Sequence, residues 1–377
     1  YNAVDMLFVG RFTGTESLAA VSVCGPIMNV MIITLSGMSA GGLVVISGLL
    51  GAGDIKQAQD AAHTSVALYA LMAAVMTVLG LLFVPQILRL VQTPAAAMPE
   101  AKRYLYTVFA GTVFTFGYNL IGALQRGLGN AAASMSFVII SSAANIALDA
   151  VFIVWLGMGA FGAALGTVLS QVAAFVIGTV QFARGGAALR LSARAVRFHK
   201  KHLKNILLFG VPTALNEVMV NLAMLTVSGV ANSFGLASSA AYGVGSRINS
   251  LAIFTDGAMN QTMSAYASQN IGAGRQKRAL EGLWKAIILS AGAALGTSLL
   301  VLAFASEFSA CFDSDPAVIE QSAAFLRVTV WSYPLFATVG PLIGFIRGTG
   351  NVEASLLVGV VAQLCCRVPA SFLFSRW

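Results

Sequence analysis

Apolar segments long enough to cross a lipid bilayer fill most of this chain, and they constrain its fold more than any other feature. Crossing the hydrocarbon core takes about 20 apolar residues of helix. We predict eleven spanning segments, at residues 1–11, 18–50, 61–88, 104–125, 134–156, 160–183, 205–231, 238–271, 284–306, 322–346 and 353–374. With 58% hydrophobic residues and a mean hydropathy of +0.83, the chain is too apolar for a soluble enzyme, a disordered scaffold or a secreted disulfide domain. The predicted fold class is an all-α polytopic membrane protein.

The basic residues predict how the helices are oriented. The formal net charge is +8. When the loops are taken alternately, one set holds thirteen Lys and Arg residues, seven of them in the polar stretch 184–204, and the other set holds four. The positive-inside rule then places the 184–204 linker in the cytoplasm. Because membrane topology accounts for the charge, we expect a lipid bilayer and no nucleic acid as partner.

An internal repeat appears when the chain is compared with itself at an offset of 221 residues. Gly51-Ala52-Gly53 then falls on Gly272-Ala273-Gly274, and Arg126-Gly127-Leu128-Gly129-Asn130 falls on Arg347-Gly348-Thr349-Gly350-Asn351. Between positions 14 and 58, 15 of 45 pairs are identical without a gap. Two distant motifs at one offset indicate duplication. Since the first copy holds six helices, an even number, the repeat is parallel, as in some transporters.

The repeat predicts two pseudo-symmetric six-helix bundles. The first bundle covers 1–183, the cytoplasmic linker covers 184–204, and the second bundle covers 205–377. The seventh segment maps back to a start before residue 1, and the sixth maps forward beyond residue 377. We therefore expect twelve helices in the intact protein, with the start of helix 1 and all of helix 12 outside this sequence.

Ionisable residues within membrane helices are costly, so each is a candidate for function. Asn145 and Asp149 are four residues apart, which places both on one face of the fifth helix, and Asp5 is a second carboxylate in the same bundle. Their oxygens suit a cation or a transported proton. If the two carboxylates face each other, repulsion and desolvation raise the proton affinity of one. The alternative is structural, with Asp149 packing near an aqueous end.

The acidic cluster is absent from the second copy. At the same offset, Asp5 falls on Thr226, Asn145 on Cys366 and Asp149 on Ala370. The two bundles are therefore not chemically equivalent, and the first is the better candidate for ion coupling.

A second group of residues is a candidate substrate cavity. Its members are aromatic, amide or acidic side chains in membrane helices, which suit flat amphipathic or cationic molecules: Phe114, Tyr118, Asn119, Glu217, Asn221 and Asp256. The alternatives are packing or lipid contact for the aromatic residues, and structural pairing, for example with Arg247, for the acids.

Several motifs together resemble the multidrug and toxic-compound extrusion (MATE) family. They are Asp5-Met6-Leu7-Phe8-Val9-Gly10-Arg11 followed by Gly14-Thr15-Glu16-Ser17-Leu18-Ala19-Ala20-Val21, the Gly51-Ala52-Gly53 turn, Arg126-Gly127-Leu128-Gly129-Asn130, Asn145 with Asp149, and the segment 157–167. The resemblance covers nearly the whole chain and implies two bundles around a cavity that opens alternately to either side. It also implies export driven by H⁺ or Na⁺ and a cation site, with sodium as one candidate ion, at Asp5, Asn145, Asp149 and Thr167. A second-bundle ion site is doubtful, because Glu217 stands about one turn early for the family pattern and residues 322–346 contain no acid.

The predicted function is therefore secondary active antiport of organic, cationic or amphipathic compounds against H⁺ or Na⁺. No cofactor beyond the coupling ion is expected, the chain is expected to be monomeric, and it is not predicted to be an enzyme. The main alternative is a lipid-linked oligosaccharide flippase, which needs a strongly cationic cavity, whereas Arg247, Arg327 and Arg367 are few and scattered. An intramembrane enzyme lacks a His-Glu-x-x-His motif, and a channel lacks a filter-like loop.

Overall fold

The computed structural model describes residues 2–185, 189–252, 254–312 and 315–374. Throughout these ranges the regular structure is helical, with no strand. The chain divides into two compact units, Tyr1–Ile46 with Ile55–Leu207, and Ser47–Asp54 with Leu208–Trp377. The all-α fold class predicted from the hydropathy pattern is confirmed.

Six long helices build the first unit. They are α1 Asn2–Phe12, α2 Thr15–Gly51, α3 Ile55–Leu90, α4 Met98–Gly127, α5 Ala131–Asp149 and α6 Gly159–Arg184, and α5 continues as a π-helical turn over Ala150–Trp155. α4 packs against both α3 and α6, and α6 packs against α5. The last turn of α2 is counted with the second unit.

Small residues let α4 approach α6 closely. A Cβ on Gly111 would overlap the side chain of Val168, and one on Gly117 would overlap the ring of Phe175. In lipid, helices associate through such close packing because the tails are as apolar as the side chains. Within this unit, large residues such as Phe116 on α4 and Phe137 on α5 are completely buried.

The second unit begins after Leu207, within its first helix, and includes two long helices and several short ones. They are α7 Lys200–Asn232, α8 Leu236–Ala252, α9 Phe254–Gly272, α10 Gln276–Ala303, α11 Ala305–Ala310, α12 Pro316–Thr329, α13 Tyr333–Phe336, α14 Val339–Gly348, α15 Val352–Val360 and α16 Val368–Phe374. A 3₁₀ turn covers Val330–Ser332 and a π-helical turn covers Val361–Arg367. α14 packs on α9, and α12 packs on α8.

Several predicted helix boundaries differ from the structure; α10, for example, begins at Gln276 rather than at residue 284. The segment 322–346 is not one helix but is interrupted between α12 and α14, where Pro334, at the start of α13, lacks the N–H that a continuous helix needs. α7 begins at Lys200, inside the predicted linker 184–204, because lysine is a good helix former and charged residues readily extend a membrane helix into water.

Within the described ranges, nine helices or helix runs are long and apolar enough to span a membrane. Their outward faces are apolar as well. On α3, for example, Val78 is 55% exposed and Leu82 is 63% exposed. Large exposed apolar surfaces of this kind belong in contact with lipid rather than water. The chain is a multi-pass membrane protein.

The two Arg-Gly-x-Gly-Asn turns have the same geometry. Gly129 and Gly350 take φ of +81° and +90°, a region that glycine enters without a steric cost. Asn130 accepts a hydrogen bond from the backbone N of Ala133 at 3.1 Å, and Asn351 accepts one from Ala354 at 3.2 Å. Each asparagine thereby caps the helix that follows.

Candidate cation-coupling site

Four residues that the sequence singled out meet inside the first unit. Asp5 comes from α1, Asn145 and Asp149 from α5, and Thr167 from α6, and all four are at most 3% exposed. The Thr167 hydroxyl donates to Asp5 Oδ2 at 3.1 Å, and Asn145 Nδ2 donates to Thr167 Oγ1 at 3.5 Å. The Asp149 carboxylate lies close enough to Asp5 for the two to interact directly.

The local backbone makes room for Asp149. This residue ends α5, and the π-helical turn Ala150–Trp155 begins directly after it. Single π turns within membrane and soluble helices frequently occur at functional sites. On the facing helix, a Cβ at Gly166 would lie only 2.6 Å from Asp149 Oδ1. Gly166 therefore provides the space that the carboxylate occupies.

Several buried oxygens in this cluster have no hydrogen-bond donor. They are Asp5 Oδ1, Asn145 Oδ1 and both carboxylate oxygens of Asp149. Leaving such groups buried without a partner costs several kcal/mol in total. A proton or a bound cation removes that cost, and carboxylate, amide and hydroxyl oxygens are the ligands that a hard cation such as Na⁺ prefers. In the part of the chain that the structure describes, no group of three or more His, Cys, Asp or Glu could hold a metal ion. The charge of this cluster comes from its two carboxylates, Asp5 and Asp149.

Tyr104 also belongs to this site, although the sequence interpretation did not select it. It lies on α4, is 2% exposed, and is near enough to Asp5 and Asp149 to sense their charges. An aromatic residue in an apolar helix is usually read as packing. The repeat carried a usable signal, because Tyr104 falls on Phe325 at the 221-residue offset, so the hydroxyl is present in one copy only.

The candidate cavity residues of the first unit lie on the second half of α4. Phe114, Tyr118 and Asn119 are half-buried. The Phe114 ring packs edge-on against Phe175 with centroids 6.3 Å apart, and Asn119 Nδ2 donates to the carbonyl of Thr115 at 2.8 Å. Their role in binding a substrate stays a prediction.

The acids of the second unit have a different environment. Asp256 Oδ1 accepts a hydrogen bond of 2.7 Å from the backbone N of Gly340, which joins α9 to α14. Glu217 interacts electrostatically with Arg347, which is 4% exposed and donates to Asn260 Oδ1 at 3.0 Å. Asn221 Nδ2 donates to the carbonyl of Glu217 at 2.8 Å. Asp256 thus has a backbone donor, whereas both carboxylate oxygens of Asp149 in the first unit have no donor.

One motif needs its structural context. Gly37-Met38-Ser39-Ala40-Gly41 has the Gly-x-Ser-x-Gly spacing of serine hydrolases, but it lies within the continuous helix α2. The hydrolase nucleophile requires a sharp strand-to-helix turn that exposes the serine. The spacing therefore carries no argument for hydrolysis here.

Comparison with known proteins identifies relatives along the whole chain. The family profile described as MatE matches residues 1–151 and 212–373. The Probable multidrug resistance protein YpnP of Bacillus subtilis (strain 168) is 26% identical over 100% of this chain and 84% of its own length. The Multidrug export protein MepA of Staphylococcus haemolyticus (strain JCSC1435) is 22% identical over 100% of this chain and 82% of its own.

Solved structures agree on the fold. A structure described as an outward-facing conformation of a multidrug resistance MATE family transporter of the MOP superfamily is similar at a TM-score of 0.91 and 25% identity, covering 100% of this chain and 84% of that one. A MOP superfamily transporter from Pyrococcus furiosus gives a TM-score of 0.90 at 24% identity, covering 100% and 84%. The two-bundle fold predicted from the repeat is that of these transporters, and the family profile covers well over half of the sequence. The chain belongs to the MatE family.

Proposed function

We propose that this protein is a secondary active exporter that moves organic, cationic or amphipathic compounds out of the cell in exchange for H⁺ or Na⁺. The observation that carries the proposal is the buried set of unpartnered oxygens on Asp5, Asn145 and Asp149. The relatives support the direction of transport, since they are described as multidrug resistance and multidrug export proteins. The membrane is the bacterial inner membrane, with the 184–204 linker in the cytoplasm.

The coupling follows from the charge of the cluster. With no ion bound, two carboxylates face each other in a dry site, which disfavours the packing of α1, α5 and α6 around them. A proton or Na⁺ at Asp5, Asn145, Asp149 and Thr167 neutralises this repulsion and favours the closely packed arrangement. An ion shifts a conformational equilibrium only through its different affinity for the two states. By linkage, the ion then lowers substrate affinity as much as substrate lowers the affinity for the ion.

The test uses the full-length protein in proteoliposomes loaded with a fluorescent organic cation, with a pH gradient or a sodium gradient imposed separately. We expect export under at least one gradient, and loss of gradient-driven export in Asp149→Asn, because an amide carries no charge to neutralise. Glu281→Gln is the matched control, since Glu281 is exposed on α10 outside the site. Wild-type rates in Asp149→Asn would contradict the proposed role, and the absence of export under either gradient would contradict the antiport mechanism.

A further inference from the structure

A cavity of about 420 Å³ lies at one end of the first unit. Its walls come from the α1–α2 turn, the first turn of α4 and the turn between the π segment and α6, and include Thr13, Ser17, Glu100, Arg103 and Gly159. It is lined by none of the four residues of the coupling cluster. By the distribution of basic loops, this end of the unit faces away from the cytoplasm.

Glu100 is the acidic group of the cavity, and one of its oxygens is free. Glu100 Oε1 is 3.6 Å from Arg103 Nη1, but Arg103 is 70% exposed, so the pair is weakened by water. Glu100 Oε2 is buried and has no hydrogen-bond donor. A Cβ on Gly159 would lie 3.2 Å from Glu100 Oε2 and 2.8 Å from Ser17 Oγ. A side chain at position 159 would therefore crowd both oxygens, and the glycine avoids that contact.

The helices that carry the coupling cluster also form this cavity. Glu100 is one turn before Tyr104 on α4, a rise of about 6 Å, and Tyr104 is near enough to Asp5 and Asp149 to sense their charges. Asp5 is two turns before Phe12, which lines the cavity, a rise of about 10 Å. Along these helices the cavity therefore lies within about two turns of the buried cluster.

The second copy has a neutral pair at the matching place. At the 221-residue offset, Ser17 falls on Ser238 and Glu100 on Gln321. Ser238 Oγ donates to Gln321 Oε1 at 3.2 Å, so the amide oxygen is satisfied by the serine. Glu100 is therefore present only in the copy that also has Asp5, Tyr104 and Asp149.

We propose that this cavity is the outer entrance for the coupling cation, where Glu100 attracts H⁺ or Na⁺ towards Asp5 and Asp149 and Arg103 weakens that attraction. The inference rests on the proposed antiport function and adds its entry route. A negative group in a low-dielectric cleft raises the local concentration of cations and their rate of arrival, and salt screens the effect.

The test is the dependence of export on the external coupling cation, measured in oriented proteoliposomes with whichever gradient drives the wild-type protein. We expect Glu100→Gln to raise the half-saturating cation concentration roughly three- to tenfold, with the difference disappearing at saturating cation and shrinking as inert salt is added. Arg103→Gln should shift the same constant in the opposite direction. Glu16→Gln is the matched control, because Glu16 is exposed on the same outer end and does not line the cavity.

The possible results separate this inference from the proposed function. An unchanged half-saturating concentration in Glu100→Gln, with wild-type export working, overturns the entrance alone. An equal shift in Glu16→Gln also overturns it, because the general surface charge would then explain the effect. If wild-type protein shows no gradient-driven export, the proposed function fails, and the entrance fails with it.

Discussion

The two copies of the repeat share backbone turns and helix caps but differ in their ionisable residues. Both have an Arg-Gly-x-Gly-Asn turn with a left-handed glycine and an asparagine cap. Four ionisable residues of the first copy have neutral counterparts in the second. Asp5, Glu100, Tyr104 and Asp149 fall on Thr226, Gln321, Phe325 and Ala370. Backbone turns and helix caps are therefore common to both copies, whereas these four ionisable residues occur only in the first. This difference favours the first bundle as the one that binds the coupling cation.

The largest expected effect comes from giving the first copy the residues of the second. Asp5→Thr with Asp149→Ala removes both carboxylates of the buried cluster, so the unpartnered oxygens that need an ion are lost. We expect gradient-driven export to fall by about 100-fold or more, the upper part of the usual range of coupling energies. Initial rates of dye export in proteoliposomes measure the change. A double variant that keeps its coupling would show that the carboxylates are structural.

A stability comparison tests the two turn arginines. Arg347 is 4% exposed and serves both Asn260 and Glu217, whereas Arg126 is half-buried and donates to Ser134 at 2.9 Å. We expect Arg347→Gln to destabilise the protein by about 2 kcal/mol, because it removes a buried charge that donates to Asn260 and attracts Glu217. Arg126→Gln should cost about 1 kcal/mol.

Thermal unfolding in detergent, followed for both variants in parallel, measures this difference. Combining Arg347→Gln with Glu217→Gln should restore part of the lost stability, since the unpaired charge is then removed as well. Equal losses in the two arginine variants would mean that Glu217 gains nothing from Arg347, and the contrast between the two units would have to be withdrawn.

Gly166→Ala tests whether the space beside Asp149 matters. The new methyl group would lie 2.6 Å from Asp149 Oδ1, so the carboxylate has to move. We expect about a tenfold rise in the cation concentration that half-saturates export, because a small displacement of a ligand group weakens binding steeply. Gly117→Ala, which meets the ring of Phe175 instead, controls for crowding of α6 in general. The same shift in both variants would assign the effect to helix packing.

Tyr104→Phe gives the first copy the aromatic residue of the second while keeping the ring. The phenol is near enough to Asp5 and Asp149 to sense their charges, and it is buried, so its removal affects the cluster without changing the surface. We expect roughly a threefold change in half-saturating cation concentration, because in a buried site the dipole of a nearby hydroxyl acts on the charge of the cluster. Tyr69→Phe, on α3, is the matched control with an equally buried hydroxyl. Wild-type dependence in Tyr104→Phe would remove this residue from the site.

Much of the fold could be predicted from the sequence, because a long apolar run can satisfy its backbone in lipid only as a helix. Membrane acids are rare enough that Asp5 and Asp149 stood out directly. The sequence did not predict the π-helical turn after Asp149, since no residue type specifies one, nor the role of Tyr104, whose position depends on how α4 packs. The environment of Glu100 depends on the packing of three turns that are distant in sequence. The hydrophobic pattern of a single helix does not predict such packing.

The smallest effect is expected from removing the asparagine helix caps, which both copies have. Asn130→Ala and Asn351→Ala each remove the side chain that accepts from the third residue of the following helix, at 3.1 Å and 3.2 Å. We expect each to cost about 1 kcal/mol, with no measurable difference between them and no change in cation dependence. Thermal unfolding and export titrations of the two variants provide the comparison. If only Asn130→Ala alters the cation dependence, the Asn130 cap contributes to cation coupling. The first copy would then differ from the second in the function of a backbone cap as well as in its ionisable residues.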